Sequence, residues 1–215
     1  SYNDKYLGFS LDLKGSEYYT IYIREIISNE IITEKIEETS GSITFSLDDK
    51  YIFYSKLDKF HRPRKIFRHK IGTKVDDDKL IFEEKSEAFT VGINLSSDEK
   101  YFIITTSDHN TSEQYFFSVD EEMPKPKLIK KRKRGIIYSI NSWNNYFYNH
   151  TNENAEDFKI DRCKDLSNQK WEEYVSAKNE VLIGGLIFLN DWIIRSEVSN
   201  ALGKIFVKNV NTNIE

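Results

Sequence analysis

The chain has 215 residues, of which 39% are hydrophobic, 14% aromatic and 31% charged, and a formal net charge of −4. That is too apolar for a disordered chain and too weakly charged for one dominated by nucleic-acid or membrane electrostatics. No apolar run approaches the length of a membrane span, and residues 1–20 lack the basic start and apolar core of a secretion signal.

Taken in chain order, one short pattern keeps returning: a turn, a hydrophilic corner residue, then an aromatic-led apolar run. It reads Asp4-Lys5-Tyr6, Asp49-Lys50-Tyr51, Glu99-Lys100-Tyr101, Asn145-Tyr146 and Asp191-Trp192. The intervals between the aromatic residues are 45, 50, 45 and 46 residues. A period of that size is expected of one four-stranded blade of a β-propeller. The spacing predicts blades over about 1–38 (incomplete), 39–86, 87–133, 134–178 and 179–215 (incomplete). Within the second blade it predicts strands over 41–46, 50–55, 64–71 and 79–84. The third has 90–95, 101–106, 113–119 and 127–129, and the fourth 135–141, 146–150, 157–162 and 171–175. The first unit lacks its opening strand, and the last stops near its third. The predicted fold class is therefore all-β: a partial, open propeller of antiparallel blades, three complete and two incomplete.

The strands differ in character. Tyr51-Ile52-Phe53-Tyr54 is apolar on both sides of the pleat, so both of its faces must be covered. Lys65-Ile66-Phe67-Arg68-His69-Lys70-Ile71 mixes charge with apolar residues and suits a partly solvated position. The corners Leu47-Asp48-Asp49-Lys50 and Ser96-Ser97-Asp98-Glu99-Lys100 carry side chains that stabilise tight turns by local hydrogen bonds.

The common propeller signatures, Gly-His…Trp-Asp and repeated double glycines, are absent. The loop text is more specific. The stretch His61-Arg62-Pro63-Arg64-Lys65-Ile66-Phe67-Arg68-His69-Lys70-Ile71-Gly72-Thr73 closely resembles the oligopeptidase B (protease II) branch of the prolyl oligopeptidase family. So do Leu11-Asp12…Gly15…Glu17-Tyr18-Tyr19-Thr20, Ser107-Asp108-His109-Asn110-Thr111-Ser112-Glu113 and Ala155-Glu156-Asp157-Phe158-Lys159. The resemblance runs in order over most of residues 4–175 and weakens to general propeller character from about residue 180. It implies a two-domain serine peptidase: an α/β-hydrolase domain with a Ser-Asp-His triad, and a seven-bladed propeller covering it as a size filter. The branch cleaves short peptides after Arg or Lys. Access depends on the two domains separating and closing.

The chain itself carries no hydrolase chemistry. The triad needs a Gly-x-Ser-x-Gly elbow, and none occurs. No catalytic, cofactor or metal residue is predicted. The four histidines, His61, His69, His109 and His150, have no metal-pair spacing and read as surface or loop residues. Asp76-Asp77-Asp78 lacks calcium-loop spacing and reads as a solvated turn. Cys163 has no partner for a disulfide and reads as a spectator thiol in a reducing, cytoplasmic setting. Glu17, Arg62 and Arg64 lie in the matched loops and are the candidates for contact with the catalytic domain. The run Lys130-Lys131-Arg132-Lys133-Arg134 reads as a solvated loop between blades rather than a nucleic-acid site.

A seven-bladed ring at this period needs roughly 300 residues or more. An incomplete ring exposes apolar flanks, so self-association through the end blades is expected. Two functions compete: the gating propeller of a peptidase whose partners are its own hydrolase domain and short basic peptides, and a free-standing protein-binding scaffold. No nucleic acid, membrane or cofactor is expected as a partner.

Overall fold

The computed structural model describes residues 1–215 and is built from antiparallel strands with a single short 3-10 turn. The strands are β1 (Tyr6–Leu11), β2 (Tyr19–Glu25), β3 (Ile36–Phe45), β4 (Tyr51–Leu57), β5 (Pro63–Lys70) and β6 (Lys79–Glu83). They continue as β7 (Thr90–Leu95), β8 (Tyr101–Ser107), β9 (Ser112–Ser118), β10 (Lys127–Lys130), β11 (Tyr138–Trp143) and β12 (Tyr146–Thr151). The last are β13 (Lys159–Cys163), β14 (Glu172–Val175), β15 (Val181–Leu189), β16 (Trp192–Ser199) and β17 (Leu202–Asn209). Within each sheet the strands follow chain order, as in propeller blades: β1 to β6, β7 to β10, β11 to β14, and β15 to β17.

The first two blades are fused in one six-stranded sheet. Strand β3 pairs with β2 through its first residues and with β4 through its last, and Thr39 has a partner on each side, Tyr19 and Lys56. The connection that separates other blades is compressed here into a kink. Glu38 and Gly41 both take positive φ, 60° and 84°. Gly41 has no room for a side chain, since a Cβ there would lie 2.9 Å from Ser10 Oγ and 3.0 Å from the Tyr19 ring.

The chain divides into two compact units. The first comprises residues 1–95, 101–108 and 115–128, and the second residues 96–100, 109–114 and 129–215. In the first unit, β4 is buried on both faces. Ile52 and Tyr54 pack with Ile21, Ile23 and Ile36. On the other face, Phe53 packs with Ile66, Val91, Ile93, Phe102, Ile104 and Phe117. The Phe53 and Phe102 rings lie 4.6 Å apart, and those of Phe102 and Phe117 5.2 Å apart. In the second unit, Trp143, Tyr148, Ile160 and Val175 pack against Ile183 and Ile193.

The repeated corner has one chemistry. Asn3, Asp48 and Asp98 each accept from the backbone N–H two residues on, at Lys5 (2.9 Å), Lys50 (3.2 Å) and Lys100 (3.4 Å). Ser1, Ser46 and Ser96 donate their hydroxyls to the same oxygens, at 3.2, 2.7 and 2.8 Å. The next residue, Asp4, Asp49 or Glu99, sits at φ 56°, 54° or 58°. Asp49 adds a link between corners. It is 4% exposed, and its carboxylate accepts from the backbone N–H groups of Tyr2 (2.9 Å) and Asn3 (2.7 Å).

Replacing Asp49 with Ala strands those two donors, so the folded state should lose about 2–3 kcal/mol in urea denaturation. Asp76→Ala, in the exposed turn, should stay within about 0.5 kcal/mol.

Candidate inter-domain surface

In the first unit, the β1–β2 and β4–β5 loops and the segment after β6 form one connected surface. Each hairpin loop is organised by an aspartate. Asp12 accepts from the backbone of Lys14 (3.0 Å) and Glu17 (2.7 Å) and from the Ser16 hydroxyl (3.3 Å). The Glu17 N–H, with the other bonds to this loop, holds the Asp12 carboxyl below its ordinary range. Asp58 accepts from the backbone of Phe60 (2.8 Å) and Arg62 (3.1 Å). Partial burial opposes the charge on Asp58, but those bonds and the charges of Arg64 and Arg62 outweigh it and hold its carboxyl low. Tyr18 ties the two loops together. Its hydroxyl donates to the Asp58 carbonyl (3.1 Å), and its ring lies 4.1 Å from that of His61.

The three predicted residues fall on this surface in two different roles. Glu17, at φ 62°, is exposed, and its carboxylate makes no hydrogen bond or ion pair. Both arginines bind backbone carbonyls, Arg64 from a half-buried position and Arg62 from an exposed one. Arg62 Nη1 donates to the Glu87 carbonyl at 2.9 Å. Arg64 donates Nε (3.2 Å) and Nη2 (3.0 Å) to the Glu84 carbonyl, and Nη2 to the Lys85 carbonyl (2.9 Å). They hold the β6–β7 connection against the hairpin, which suits the planar donor fork of Arg. Beneath them lies buried Glu84, which accepts from Thr106 Oγ1 (2.6 Å) and the Ser86 N–H (2.8 Å).

The sequence reading did not single out Tyr18, Asp58 and Glu84. An Asp opening a loop two residues before a turn is a recognisable signal for Asp58. The burial of Glu84 is not marked locally, because Thr106, which donates to it there, lies 22 residues away.

Two expectations need correcting. His69 is fully buried rather than on the surface. Its Nδ1 lies 2.6 Å from Asp78 Oδ1, and Tyr54 Oη donates to Asp78 Oδ2 at 2.8 Å. Asp78 is correspondingly not solvated like Asp76 and Asp77. The 3-10 turn Val75–Asp77 exposes those two and ends with the Asp78 side chain only 4% exposed. Burial, with help from Asp78, pushes the Tyr54 hydroxyl far above its ordinary range. His150 is also half-buried, stacked on Phe158 and 2.8 Å from the Ile183 carbonyl. Burial pushes its pKa down.

Cys163 is buried, and burial pushes its thiol up to about 11, which removes thiolate reactivity. In the basic run, Lys130 pairs with Glu153, and Arg132 forks onto Glu113 Oε2 through Nε (3.0 Å) and Nη2 (2.7 Å). Lys131 and Arg134 remain exposed. No helix is long and apolar enough to cross a membrane.

Comparison with known proteins agrees with this architecture. Residues 1–214 match the family model described as prolyl oligopeptidase, N-terminal beta-propeller domain. Protease 2 of Moraxella lacunata is 33% identical over 197 residues, which cover 90% of this chain and 28% of that protein. Oligopeptidase B from Leishmania major superposes with a TM-score of 0.89 at 21% identity, over 95% of this chain and 29% of that one. Oligopeptidase B from Trypanosoma brucei, in a closed form with covalently bound antipain, gives 0.80 at 18%, over 96% and 31%. The chain thus spans under a third of each of these relatives.

The lowered Asp12 value has a pH consequence. A depressed folded-state pKa adds order that is fully present above the ordinary value of 3.8 and is lost as pH falls through the lower one. In an NMR titration the Lys14 and Glu17 amide resonances should move with a midpoint below 3.8. The pairing of Lys130 and Arg132 predicts weak binding to single-stranded nucleic acid at physiological salt. Submicromolar binding with a steep salt slope would contradict that.

Proposed function

This chain belongs to the prolyl oligopeptidase family as its N-terminal β-propeller domain, and we propose that it gates substrate access in an oligopeptidase B-like serine peptidase. The observation that carries the reading is the 33% identity to Protease 2 over 90% of the chain, joined to a family match along residues 1–214. On this reading the hydrolase domain supplies the nucleophile, and the propeller admits short peptides, cut after Arg or Lys, while excluding folded proteins. A peptidase of this kind works by opening and closing its domains. The closed form of the Trypanosoma brucei enzyme supports that picture. The buried Cys163 suits the cytoplasm.

The surface of the first unit supplies the contact residues. Glu17, projecting and unpaired, touches the catalytic domain directly and offers it a carboxylate. Arg62 and Arg64 are positioning residues. They fix the 84–87 segment by its carbonyls and so set the height of that edge.

The test is the complete reading frame and its product. It should encode an α/β-hydrolase segment with Gly-x-Ser-x-Gly, and the enzyme should cleave arginyl and lysyl amides in preference to prolyl amides. Glu17→Gln should then change kcat/KM by about threefold to tenfold at low salt and less at high salt, as expected of a screened ion pair. The chain of residues 1–215 alone should show no turnover. A frame without a hydrolase segment, or equal cleavage after proline, would sink the reading.

A further inference from the structure

Strand β15 lies at the edge of its sheet, with β16 on one side only. At Ile183, which is fully buried, both backbone groups cross to the neighbouring β11–β14 sheet. The Ile183 N–H donates to the Asp157 carbonyl at 2.9 Å, and His150 Nε2 lies 2.8 Å from the Ile183 carbonyl. The register of β15 against β16 shifts just beyond this residue, between Ile183 and Leu186, and a bulge of this kind re-aims the chain. Both partners of Ile183 belong to one hairpin. His150 lies in β12 and Asp157 in the β12–β13 loop, where Phe158, at φ 67°, stacks its ring 4.6 Å from the imidazole.

We propose that His150 is a pH-sensitive clasp between the β11–β14 and β15–β17 sheets, closed while the imidazole is neutral and loosened as the ring takes up a second proton in mildly acidic solution. The tautomer follows from the partner. A carbonyl only accepts, so Nε2 carries the hydrogen and the neutral ring leaves Nδ1 bare. Charging the ring puts a proton on Nδ1, and the surroundings offer that charge nothing. The cavity of about 110 Å³ beside the ring has no carboxylate in its lining, and its other polar side chains are Ser139, Asn141 and Tyr148. Burial pushes the Tyr148 hydroxyl up to about 12, so it stays neutral throughout.

The charged groups on the packed elements are committed elsewhere. Strands β11 and β15 contain none. On β13, Lys159 pairs with Asp161 at 3.0 Å and Arg162 with Glu172 at 2.7 Å. In the β12–β13 loop, Glu153 pairs with Lys130, Glu156 is exposed and Asp157 turns its carbonyl to the clasp. On β16, Arg195 and Glu197 bond each other at 2.9 Å. Burial therefore outweighs the bond to Ile183, which favours the charged ring, and holds the His150 pKa below its ordinary 6.5. The clasp is at full strength above 6.5 and weakens as pH falls through that value toward the lower one, because the opened state binds the proton more tightly.

The inference does not depend on the peptidase reading, because every group in it lies within the second unit. Native-state hydrogen exchange on the chain of residues 1–215 tests it at the Ile183 amide, with rates corrected for the intrinsic pH dependence of exchange. Opening should grow several-fold between about pH 7.5 and about pH 5, with a ceiling of about 30-fold for a histidine of ordinary pKa 6.5 that stays neutral when closed. The Phe102 and Ile104 amides, in the first unit, should change by less than about twofold. His150→Gln keeps a donor for the Ile183 carbonyl and cannot titrate. It should hold the Ile183 protection within about twofold over the same range, with circular dichroism checking that it folds. Equal protection at the two pH values in the unaltered chain would overturn the proposal, whether or not the variant folds. So would a folded His150→Gln chain that still opens on acidification, since another group would then be the sensor.

Discussion

The structure depends on one constraint: a strand that is apolar on both sides of its pleat must be covered on both faces. Ile52 and Tyr54 point into one cluster and Phe53 into another, so β4 is the shared wall of two cores. A sheet with only one covered face would leave either Phe53 or both Ile52 and Tyr54 in water, at roughly 1.5–3 kcal/mol for each side chain. The same demand recurs at β8, where Phe102 and Ile104 are buried on one side and Ile103 on the other. Sheets of this kind cannot stand alone. They stack, and the stacking fixes what the loops are allowed to do.

Stacking brings backbone groups from the corners close to neighbouring sheets, and those groups need partners. The repeated Ser-x-Asp corner meets that need within itself. The Asp oxygen accepts from the serine hydroxyl and from the backbone two residues on, which frees the following residue to adopt a left-handed conformation. Glycine is the usual choice there, but this chain uses Asp4, Asp49 and Glu99. At Asp49 the strained residue has a second use, because its carboxylate accepts two N–H groups from the preceding corner. Asp is among the few non-glycine residues that adopt this conformation readily.

Much of this was legible in the sequence. The period near 46 residues, the apolar runs and the turn chemistry predicted strand after strand to within a few residues, because each signal is local. The fusion of the first two blades was not legible. It rests on Thr39 finding partners 20 residues before and 17 after it, and on a close approach that only Gly41 permits. The inward turn of Asp78 was hidden for a related reason. Three consecutive aspartates look alike in sequence, and only the 3-10 turn decides that the third lies under the sheet with His69 and Tyr54. Of the candidate surface, the loops were legible and the orientation of their charges was not. Whether an arginine projects or folds back depends on which carbonyls lack donors nearby.

That distinction bears on how the propeller would act on catalysis under the proposed reading. Arg62 and Arg64 spend their donors on the 84–87 backbone, and Asp12 and Asp58 spend their oxygens on their own loops. Arg64, Asp12 and Asp58 are committed inside the domain, whereas Arg62 stays exposed with only Nη1 engaged. What projects is Glu17, together with Leu13, 82% exposed, and Phe60, 58% exposed. On the proposed reading, recognition at this surface falls to a few side chains at loop tips, held in place by polar groups bonded within the domain. A substitution among the committed charges acts by moving the tips, and one at a tip acts on the contact itself. The two kinds should separate in their salt dependence, because only the second removes a solvent-screened charge.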